Sequence, residues 1–231
     1  MSQMLDARLS CAAALVRGGR LADVGTDHGY LPVSLLLDGK IKYAVASDIN
    51  RGPLESARQT VARHGLSDRV DLVLTDGLCG IEPYAPDDIA ILGMGGELIA
   101  SIIEAAEWVK DSKYRLILQP MTKRAELREY LLTHGFFIED ELTAKAEGRI
   151  YQTICAYYTG ENTQYSLAEL LLGRHNIQRG DELTAIYAAR LEATYNARLQ
   201  GKSRAGADDS EERAVLDALR GIKLDRKVKN I

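Results

Sequence analysis

Apolar runs and apolar stripes alternate along the first 160 residues of the chain. Short unbroken apolar runs bounded by glycine or polar residues predict strands that are buried on both faces. They lie at residues 21–24, 43–47, 70–74, 89–92, 115–118, 136–140 and 150–158, and the polar segment 143–149 is interpreted as a loop. Between the runs, apolar residues recur at helical spacing within residues 4–17, 31–37, 53–64, 97–109 and 123–134. Five strand–helix steps and a terminal strand pair predict an α/β fold with a Rossmann-like seven-stranded sheet.

A helical pattern alone fills residues 161–231, which we predict to be a separate C-terminal domain. A short helix is followed by a longer one, which begins after Gly180. The apolar stripe of the longer helix consists of Leu183, Ile186, Tyr187, Leu191, Tyr195 and Leu199. A turn is predicted at 201–207, after which Asp208 and Glu211 resemble a capping box for a returning helix. Amphipathic helices joined by a short turn pair antiparallel, so we expect a coiled-coil-like helical hairpin behind an N-terminal domain at 1–160.

One stretch near the N-terminus combines a predicted strand with a tight turn. The strand at 21–24 contains Asp23, and Gly25 and Gly29 bracket a turn that leads into the next helix. Asp48 closes the following strand. In Rossmann-type sheets, a glycine turn of this kind and an acid at the end of the next strand hold a nucleoside, and the acid bonds to the ribose hydroxyls. We therefore interpret these residues as parts of a nucleoside site.

Asp27 narrows the choice of nucleoside. A dinucleotide site uses a Gly-x-Gly-x-x-Gly loop, in which bare N–H groups and a helix N-terminus meet a pyrophosphate. Here the loop at residues 25–29 reads Gly-Thr-Asp-His-Gly, and the Asp27 carboxylate would repel a diphosphate. The same carboxylate favours a nucleoside that carries positive sulfonium and ammonium groups and no phosphate, which describes S-adenosylmethionine (SAM). The alternative is that Asp27 is only a turn residue, since Asp is common in tight turns.

Two further glycine turns follow the third and fourth predicted strands. Asp76 and Gly77 lie just past the third strand, where a carboxylate can accept a hydrogen bond from an adenine amine. A plain Asp-Gly turn explains that pair nearly as well. The fourth strand runs into Gly93-Met94-Gly95-Gly96, which leaves the backbone bare at the carboxyl end of a central strand, where ligands of open α/β sheets bind. Here the alternative is a flexible turn into the next helix.

Composition and charge exclude several classes of protein. The chain has 231 residues, of which 46% are hydrophobic and 27% charged, and its net charge is −4. A chain of this length suffices for one full α/β domain and a smaller appendage. No run reaches the length of a membrane span and no secretory segment opens the chain, so we expect a cytoplasmic protein with no membrane partner. Cys11, Cys79 and Cys155 stand far apart, which predicts reduced thiols and no metal site.

Several motifs taken in order resemble one family. They are Asp-Val-Gly-Thr-Asp-His-Gly-Tyr-Leu-Pro at 23–32, Ser-Asp-Ile-Asn-Arg-Gly-Pro at 47–53, Thr-Asp-Gly-Leu at 75–78, Ile-Leu-Gly-Met-Gly-Gly at 91–96 and Leu-Gln-Pro-Met at 118–121. This series resembles the TrmK family, the bacterial tRNA (adenine-22-N1)-methyltransferases, and the likeness covers nearly the whole chain. It implies a Rossmann-like catalytic domain, a coiled-coil-like C-terminal domain, SAM as the cofactor and tRNA as the partner.

The motifs supply a set of expected site residues. Those expected to bind the cofactor are Asp23, Gly25, Thr26, Asp27, Gly29, Asp48, Ile49, Asp76, Gly77, Gly93, Met94 and Gly95. Those expected to position the target base, as catalytic candidates, are Asp27, His28, Tyr30 and Gln119. Adenine N1 carries a lone pair that attacks the methyl group directly, so no general base is required. Tyr30 is a candidate for stacking on the base, and Asp27 for accepting from its exocyclic amine.

The C-terminal domain carries cations at both of its predicted ends. Arg198, Lys202 and Arg204 lie at the predicted tip. Arg220, Lys223, Arg226, Lys227 and Lys229 lie at the other end. Cations at both ends would allow the hairpin to lie along a phosphate backbone, while the alternative is a solvated charged hairpin that serves dimerisation or stability. Two other functions stay open: methylation of a small molecule or protein, and a non-catalytic module that binds SAM or RNA.

Overall fold

The computed structural model describes residues 5–222 of the chain, and its sheet confirms the predicted fold class. The seven strands of this sheet run in the order β3-β2-β1-β4-β5-β7-β6. They are β1 (Gly19–Val24), β2 (Ile41–Asp48), β3 (Val70–Leu74), β4 (Asp88–Gly95), β5 (Arg115–Thr122), β6 (Phe136–Ala146) and β7 (Arg149–Tyr158). The pairs among β1 to β5 are parallel, whereas β7 is antiparallel to both β5 and β6. The carboxyl ends of β1 to β5 therefore lie along one edge.

Helices connect the parallel strands and cover the sheet. Those of the N-terminal part are α1 (Ala7–Leu15), α2 (Tyr30–Leu37), α3 (Arg51–Arg63), α4 (Gly96–Glu104) and α5 (Arg124–Thr133). The central strands β4 and β5 are buried on both faces, which is why each reads as an unbroken apolar run in the sequence. Single 3₁₀ turns at Glu82–Tyr84 and Glu107–Val109 complete this part.

The last two strands correct one prediction. The segment 143–149 is not a loop: β6 continues to Ala146 and β7 begins at Arg149, so that Glu147 and Gly148 alone form the turn. Both turn residues have positive φ, 48° and 73°, as a type I′ hairpin turn requires. The segment reads as a loop because it is polar, but on this edge strand the polar Thr143 and Lys145 alternate with the alanines 144 and 146, which are buried or half-buried.

A buried ion pair fastens this hairpin to α5. Arg128 is fully buried, and its Nε donates to Glu141 Oε1 at 2.6 Å. Its Nη2 donates to Gln152 Oε1 at 3.0 Å, so one guanidinium joins α5 to both β6 and β7. Polar residues inside the strands therefore have partners, although in the sequence they weaken the strand pattern.

The chain divides into two compact units between Thr163 and Gln164. The C-terminal unit contains α6 (Leu167–Leu172), α7 (Arg174–Arg179), α8 (Glu182–Ala205) and α9 (Ser210–Arg220). Its core is built from Leu172, Ala185, Ala188, Val215 and Leu219. Within residues 5–222, no helix is both long and apolar enough to cross a membrane.

Two details of the predicted hairpin are wrong. Residues 201–205 still belong to α8, and the chain turns only at Gly206, which has a φ of 61°. Asp208 and Glu211 form no capping box, because the N-cap position of α9 is Asp209 and Asp208 instead accepts from the Ser210 N–H at 3.0 Å. Three residues of the predicted stripe, Tyr187, Leu191 and Tyr195, are partly buried and pack against the core of this unit, while the fully buried face of α8 consists of small residues. Those fully buried residues are Thr184, Ala185 and Ala188.

Candidate active site

A cavity of about 630 Å³ opens at the carboxyl edge of the sheet. It lies where β1 is flanked by β2 on one side and β4 on the other, which is the point at which the strand order reverses. Its walls come from the N-terminal end of α1, the loop after β1, the ends of β4 and β5, and the β6–β7 hairpin. All of these walls belong to the N-terminal unit.

The loop after β1 is held against β2 by its backbone. The N–H groups of Gly25 and Thr26 both donate to the Ser47 carbonyl, at 2.8 and 2.9 Å. Gly25 has a φ of 76°, and a Cβ placed there would collide with Met94 Cε. Gly29 has a φ of 68° and begins α2. Glycine is thus favoured at both positions by the positive φ.

Asp27, His28 and Tyr30 lie side by side on the wall of the cavity. The rings of His28 and Tyr30 stack with centroids 5.1 Å apart and planes inclined by 23°. His28 Nε2 lies 3.4 Å from Asp27 Oδ2. All three side chains are exposed, so the structure brings three of the four predicted base-positioning residues together in one accessible group.

Asp23 and Arg8 place opposite charges deeper in the same cavity. Burial raises the pKa of the Asp23 carboxyl to about 6, although the Arg8 guanidinium and the Thr26 hydroxyl oppose the rise. At pH 7 the group is therefore ionised. The sequence analysis missed Arg8, because an arginine near the start of an amphipathic helix looks like an ordinary surface residue. Arg8 lies on the wall of the cavity only because α1 packs against the sheet.

Gln119, the fourth predicted base-positioning residue, acts on the cavity through Arg8. Its side chain is fully buried and does not line the cavity. Its Oε1 accepts from Arg8 Nη1 at 3.2 Å, and its Nε2 donates to the Pro120 carbonyl at 3.2 Å. Arg8 also lies 3.6 Å from Asp6 Oδ2 and over the Tyr151 ring, 6.0 Å from its centroid. Gln119 thus orients a charged wall residue in this structure.

Asp48, Ile49, Asp76 and Gly77 lie at the same sheet edge, beside the cavity rather than on its wall. The Thr75 N–H donates to the Asp48 carbonyl at 3.0 Å, which joins the ends of β2 and β3. Asp48 Oδ1 accepts from the Asn50 N–H at 2.7 Å, and Asp76 is exposed. The Ile49 side chain, directly after the buried strand β2, is 62% exposed, which is unusual for an isoleucine.

The glycine-rich segment after the fourth apolar run is the end of β4 itself. Of the three residues predicted there, Gly93 lines the cavity and is exposed, with a φ of 77°. Met94 instead packs its methyl group against Gly25, and Gly95 pairs with Thr122 of β5. The segment is therefore paired strand, and only its first glycine presents bare backbone to the cavity.

The β6–β7 hairpin supplies wall residues that the sequence analysis missed. Ala146, Glu147, Arg149 and Tyr151 all line the cavity. Interpreting 143–149 as a loop hid them, because only strand alternation shows which side chains share a face. Among residues 5–222, no group of three or more His, Cys, Asp or Glu side chains is arranged to hold a metal ion.

Comparisons with known proteins match this chain to methyltransferases. The profile of a methyltransferase-domain family matches residues 5–154. The tRNA (adenine(22)-N(1))-methyltransferase of Bacillus subtilis is 35% identical over 170 residues, which cover 73% of this chain and 71% of that protein. The structure of the B. subtilis M1A22 tRNA methyltransferase TrmK has 31% identity and a TM-score of 0.78, and the match covers 94% of each chain.

A second solved structure carries a cofactor product. The structure of M. capricolum TrmK in complex with S-adenosyl-homocysteine has 25% identity and a TM-score of 0.81. The match covers 94% of this chain and 97% of that one, so it includes both compact units.

Proposed function

The chain belongs to the TrmK family, and from that premise we propose that it transfers a methyl group from SAM to N1 of adenine 22 in tRNA. The observation that carries this proposal is the cavity at the switch point of the sheet, whose glycine loop bears the Asp27 carboxylate. A carboxylate at this position is compatible with a cationic nucleoside and repels a diphosphate. A tRNA substrate implies action in the cytoplasm, which we include in the proposal.

The wall residues fit the amino-acid end of SAM. That end carries an ammonium and a carboxylate, and the cavity offers the ionised Asp23 and the Arg8 guanidinium. We assign the ammonium to Asp23 and the carboxylate to Arg8, which Gln119 orients. Gly25, Thr26, Gly29 and Gly93 contribute the backbone around these groups.

The ends of β2 and β3 fit the nucleoside end of SAM. Asp48 is placed to accept from the ribose hydroxyls, and Asp76 from the adenine amine. The exposed Ile49 side chain supplies an apolar surface for the adenine ring, which accounts for its exposure. Gly77 supports the turn after β3 by its positive φ, Met94 packs against Gly25 in the loop after β1, and Gly95 pairs with Thr122 of β5. When bound, SAM supplies an electrophilic methyl group on a positively charged sulfur.

The protein's part in the reaction is to position the base. Adenine N1 has an in-plane lone pair and carries no proton that must be removed, so catalysis rests on orientation and electrostatics. The stacked rings of His28 and Tyr30 form an aromatic surface for the base. The Asp27 carboxylate can accept from the exocyclic amine of adenine and would repel the carbonyl oxygen of guanine. Because N1 lies on the Watson–Crick edge, the base must leave any pair or stack before it reacts.

We propose that the C-terminal hairpin contributes to tRNA binding through its tip. Arg204 is exposed there, and Arg198 is exposed beside the Tyr195 ring, with a distance of 5.0 Å to the ring centroid. Lys202 contributes less, because its Nζ forms an ion pair with Glu212 at 2.8 Å. At the other end, Arg220 lies 3.6 Å from Asp217. The further cations predicted there, Lys223, Arg226, Lys227 and Lys229, lie outside the described residues.

The direct test is incubation of the protein with methyl-labelled SAM and unmodified tRNA, followed by nucleoside analysis. We expect 1-methyladenosine as the labelled product. The matched control is the same tRNA with guanosine in place of adenosine 22, which should stay unlabelled. Absence of labelled 1-methyladenosine from the first tRNA, or equal labelling of both, would contradict the proposal. A small-molecule or protein methyltransferase would label neither tRNA.

A further inference from the structure

The exposed rim of the cavity is mostly acidic. Among the described residues that line it, the exposed charged side chains are those of Asp6, Asp27, Glu147 and Arg149. Three of the four are carboxylates, which repel a nucleic acid. The other cation of the lining, Arg8, is half-buried and hydrogen-bonded to Gln119. Arg149 is therefore the exposed cation that a phosphate group meets at this opening.

The guanidinium of Arg149 is available for a ligand. It makes no hydrogen bond or ion pair with any described residue, although Glu147 lies only two positions earlier in the chain. Two other side chains of the wall have close partners: Arg8 Nε lies 3.6 Å from Asp6 Oδ2, and His28 Nε2 lies 3.4 Å from Asp27 Oδ2. An exposed arginine on the wall of a binding cavity, without an internal partner, is a candidate for binding an anion.

The backbone that carries Arg149 is nevertheless well fixed. Arg149 is the first residue of β7 and pairs with Ala146 across the two-residue turn. Residues 154–157 of β7 pair with β5, whereas 149–153 pair with β6 alone and extend the hairpin along the carboxyl edge. The buried Arg128–Glu141 pair holds the two strands against α5. The hairpin thus presents Arg149 from a rigid element, which lowers the entropy cost of binding.

We propose that Arg149 binds the backbone phosphate of the nucleotide whose base enters the cavity, and so sets how far adenine N1 reaches toward the methyl donor. The inference rests on the proposed function and extends it to the phosphate. A guanidinium fork binds a phosphate through two parallel hydrogen bonds, which fixes both distance and orientation. The neighbouring carboxylates of Asp27 and Glu147 repel the phosphate from the rest of the rim. The rim therefore accepts a nucleotide in one orientation, with its phosphate at the hairpin and its base at Tyr30.

The test compares Arg149→Ala with a matched control, Lys145→Ala. Lys145 is also an exposed cation of the same hairpin, but it does not line the cavity. For Arg149→Ala we expect unchanged SAM affinity and a loss of about 10- to 100-fold in kcat/KM for tRNA. The slope of log affinity for tRNA against log salt concentration should fall by about 0.7 to 0.9, the value for one phosphate contact. For Lys145→Ala we expect a loss in kcat/KM of less than about threefold, since exposed charges contribute little.

Further variants keep the result interpretable. Arg149→Lys retains the charge and should recover part of the activity, whereas Arg149→Gln retains most of the length and should resemble the alanine variant. This pair provides the test if Arg149→Ala does not fold. Loss of SAM affinity with an unchanged salt slope would assign Arg149 to the methyl donor and overturn the proposal, as would equal effects of Arg149→Ala and Lys145→Ala. Failure of the wild-type protein to form 1-methyladenosine would instead contradict the proposed function, whatever Arg149 does.

Discussion

Burial of Asp23 inside the cavity raises the pKa of its carboxyl to about 6, from an ordinary value of 3.8. In the unfolded chain the group ionises first as the pH rises, so the folded state loses relative stability between about pH 4 and pH 6. A shift of this size corresponds to roughly 3 kcal/mol of unfolding free energy at neutral pH. The ionised group that we assign to the SAM ammonium therefore destabilises the unliganded fold.

Asp23→Asn should accordingly stabilise the unliganded protein and weaken SAM binding. At pH 7 we expect the free energy of unfolding to rise by up to about 3 kcal/mol, with most of the gain absent at pH 4, where the wild-type group is protonated in the folded state. SAM affinity should fall by about 30-fold or more, because the SAM ammonium that we assign to Asp23 loses its carboxylate partner. Denaturant titrations at both pH values and calorimetry with SAM measure the two effects. The exposed Asp38, replaced by Asn, should change neither quantity, and a gain for Asp23→Asn that is equal at both pH values would refute the assignment.

Asp27→Ala tests a carboxylate that is exposed, whereas Asp23 is buried. The Asp27 side chain is 79% exposed, so its removal should change the free energy of unfolding by less than about 0.5 kcal/mol. If Asp27 accepts from the target amine, kcat for tRNA should fall by roughly 10- to 100-fold. Asp27→Asn keeps an acceptor but not the charge, so its kcat for tRNA should lie between those of the wild type and Asp27→Ala. Single-turnover methylation measures this. Normal SAM affinity and normal methylation by the alanine variant would remove Asp27 from the site.

Which single residues could be predicted from the sequence follows from how each reaches the cavity. Asp27, His28 and Tyr30 come from one contiguous loop, so one motif identified all three. Arg8 and Arg149 reach the cavity only because α1 and the β6–β7 hairpin pack beside that loop. No spacing along the chain reports such a contact, since it depends on tertiary packing and not on local pattern.

At the scale of whole elements, the β6–β7 hairpin holds Arg149 and Tyr151 in place and depends on a buried ion pair. Arg128→Met would leave the Glu141 carboxylate buried without its partner, and the expected loss is about 3–5 kcal/mol of unfolding free energy. Urea denaturation measures it. The double variant Arg128→Met/Glu141→Leu should be more stable than Arg128→Met, because it also removes the buried Glu141 carboxylate.

The exposed pair Arg58–Glu55 is the matched control for this prediction. Its side chains are 63% and 59% exposed and lie one helical turn apart on α3. Arg58→Met should cost less than about 0.5 kcal/mol. Equal losses for Arg128→Met and Arg58→Met would show that burial does not decide the contribution of these pairs.

The elements that the sequence predicts best are those whose packing is uniform. β4 and β5 are covered on both faces and appear as unbroken apolar runs, and β3 was predicted with its observed bounds. β6 lies at the edge of the sheet and contains the buried Glu141, so its polar residues obscured its second half. In α8 the fully buried positions are Thr184, Ala185 and Ala188, and small residues of this kind form no conspicuous apolar stripe.

At the scale of the whole molecule, the cavity and the C-terminal helical hairpin belong to different compact units. Every residue that lines the cavity precedes Thr163, and the division lies close to the predicted boundary at residue 160. The C-terminal unit has its own apolar core, which includes Leu172, Val215 and Leu219. A unit with its own core can in principle fold alone.

A fragment ending at Thr163 should therefore keep the methyl-donor site and lose the tRNA substrate. We expect SAM affinity within about threefold of the full chain, because the donor site lies entirely within this unit. If the hairpin binds the phosphate backbone, kcat/KM for tRNA should fall by about 100-fold or more, while the full-length variant Arg198→Glu/Arg204→Glu should raise KM and leave kcat unchanged. If the hairpin serves dimerisation instead, sedimentation will show a dimer of the full chain that the fragment does not form, and the double variant will methylate tRNA normally. The charge reversals thus separate binding from assembly even if the fragment proves unstable, since they lie on an exposed helix surface where substitutions seldom change stability by more than about 0.5 kcal/mol.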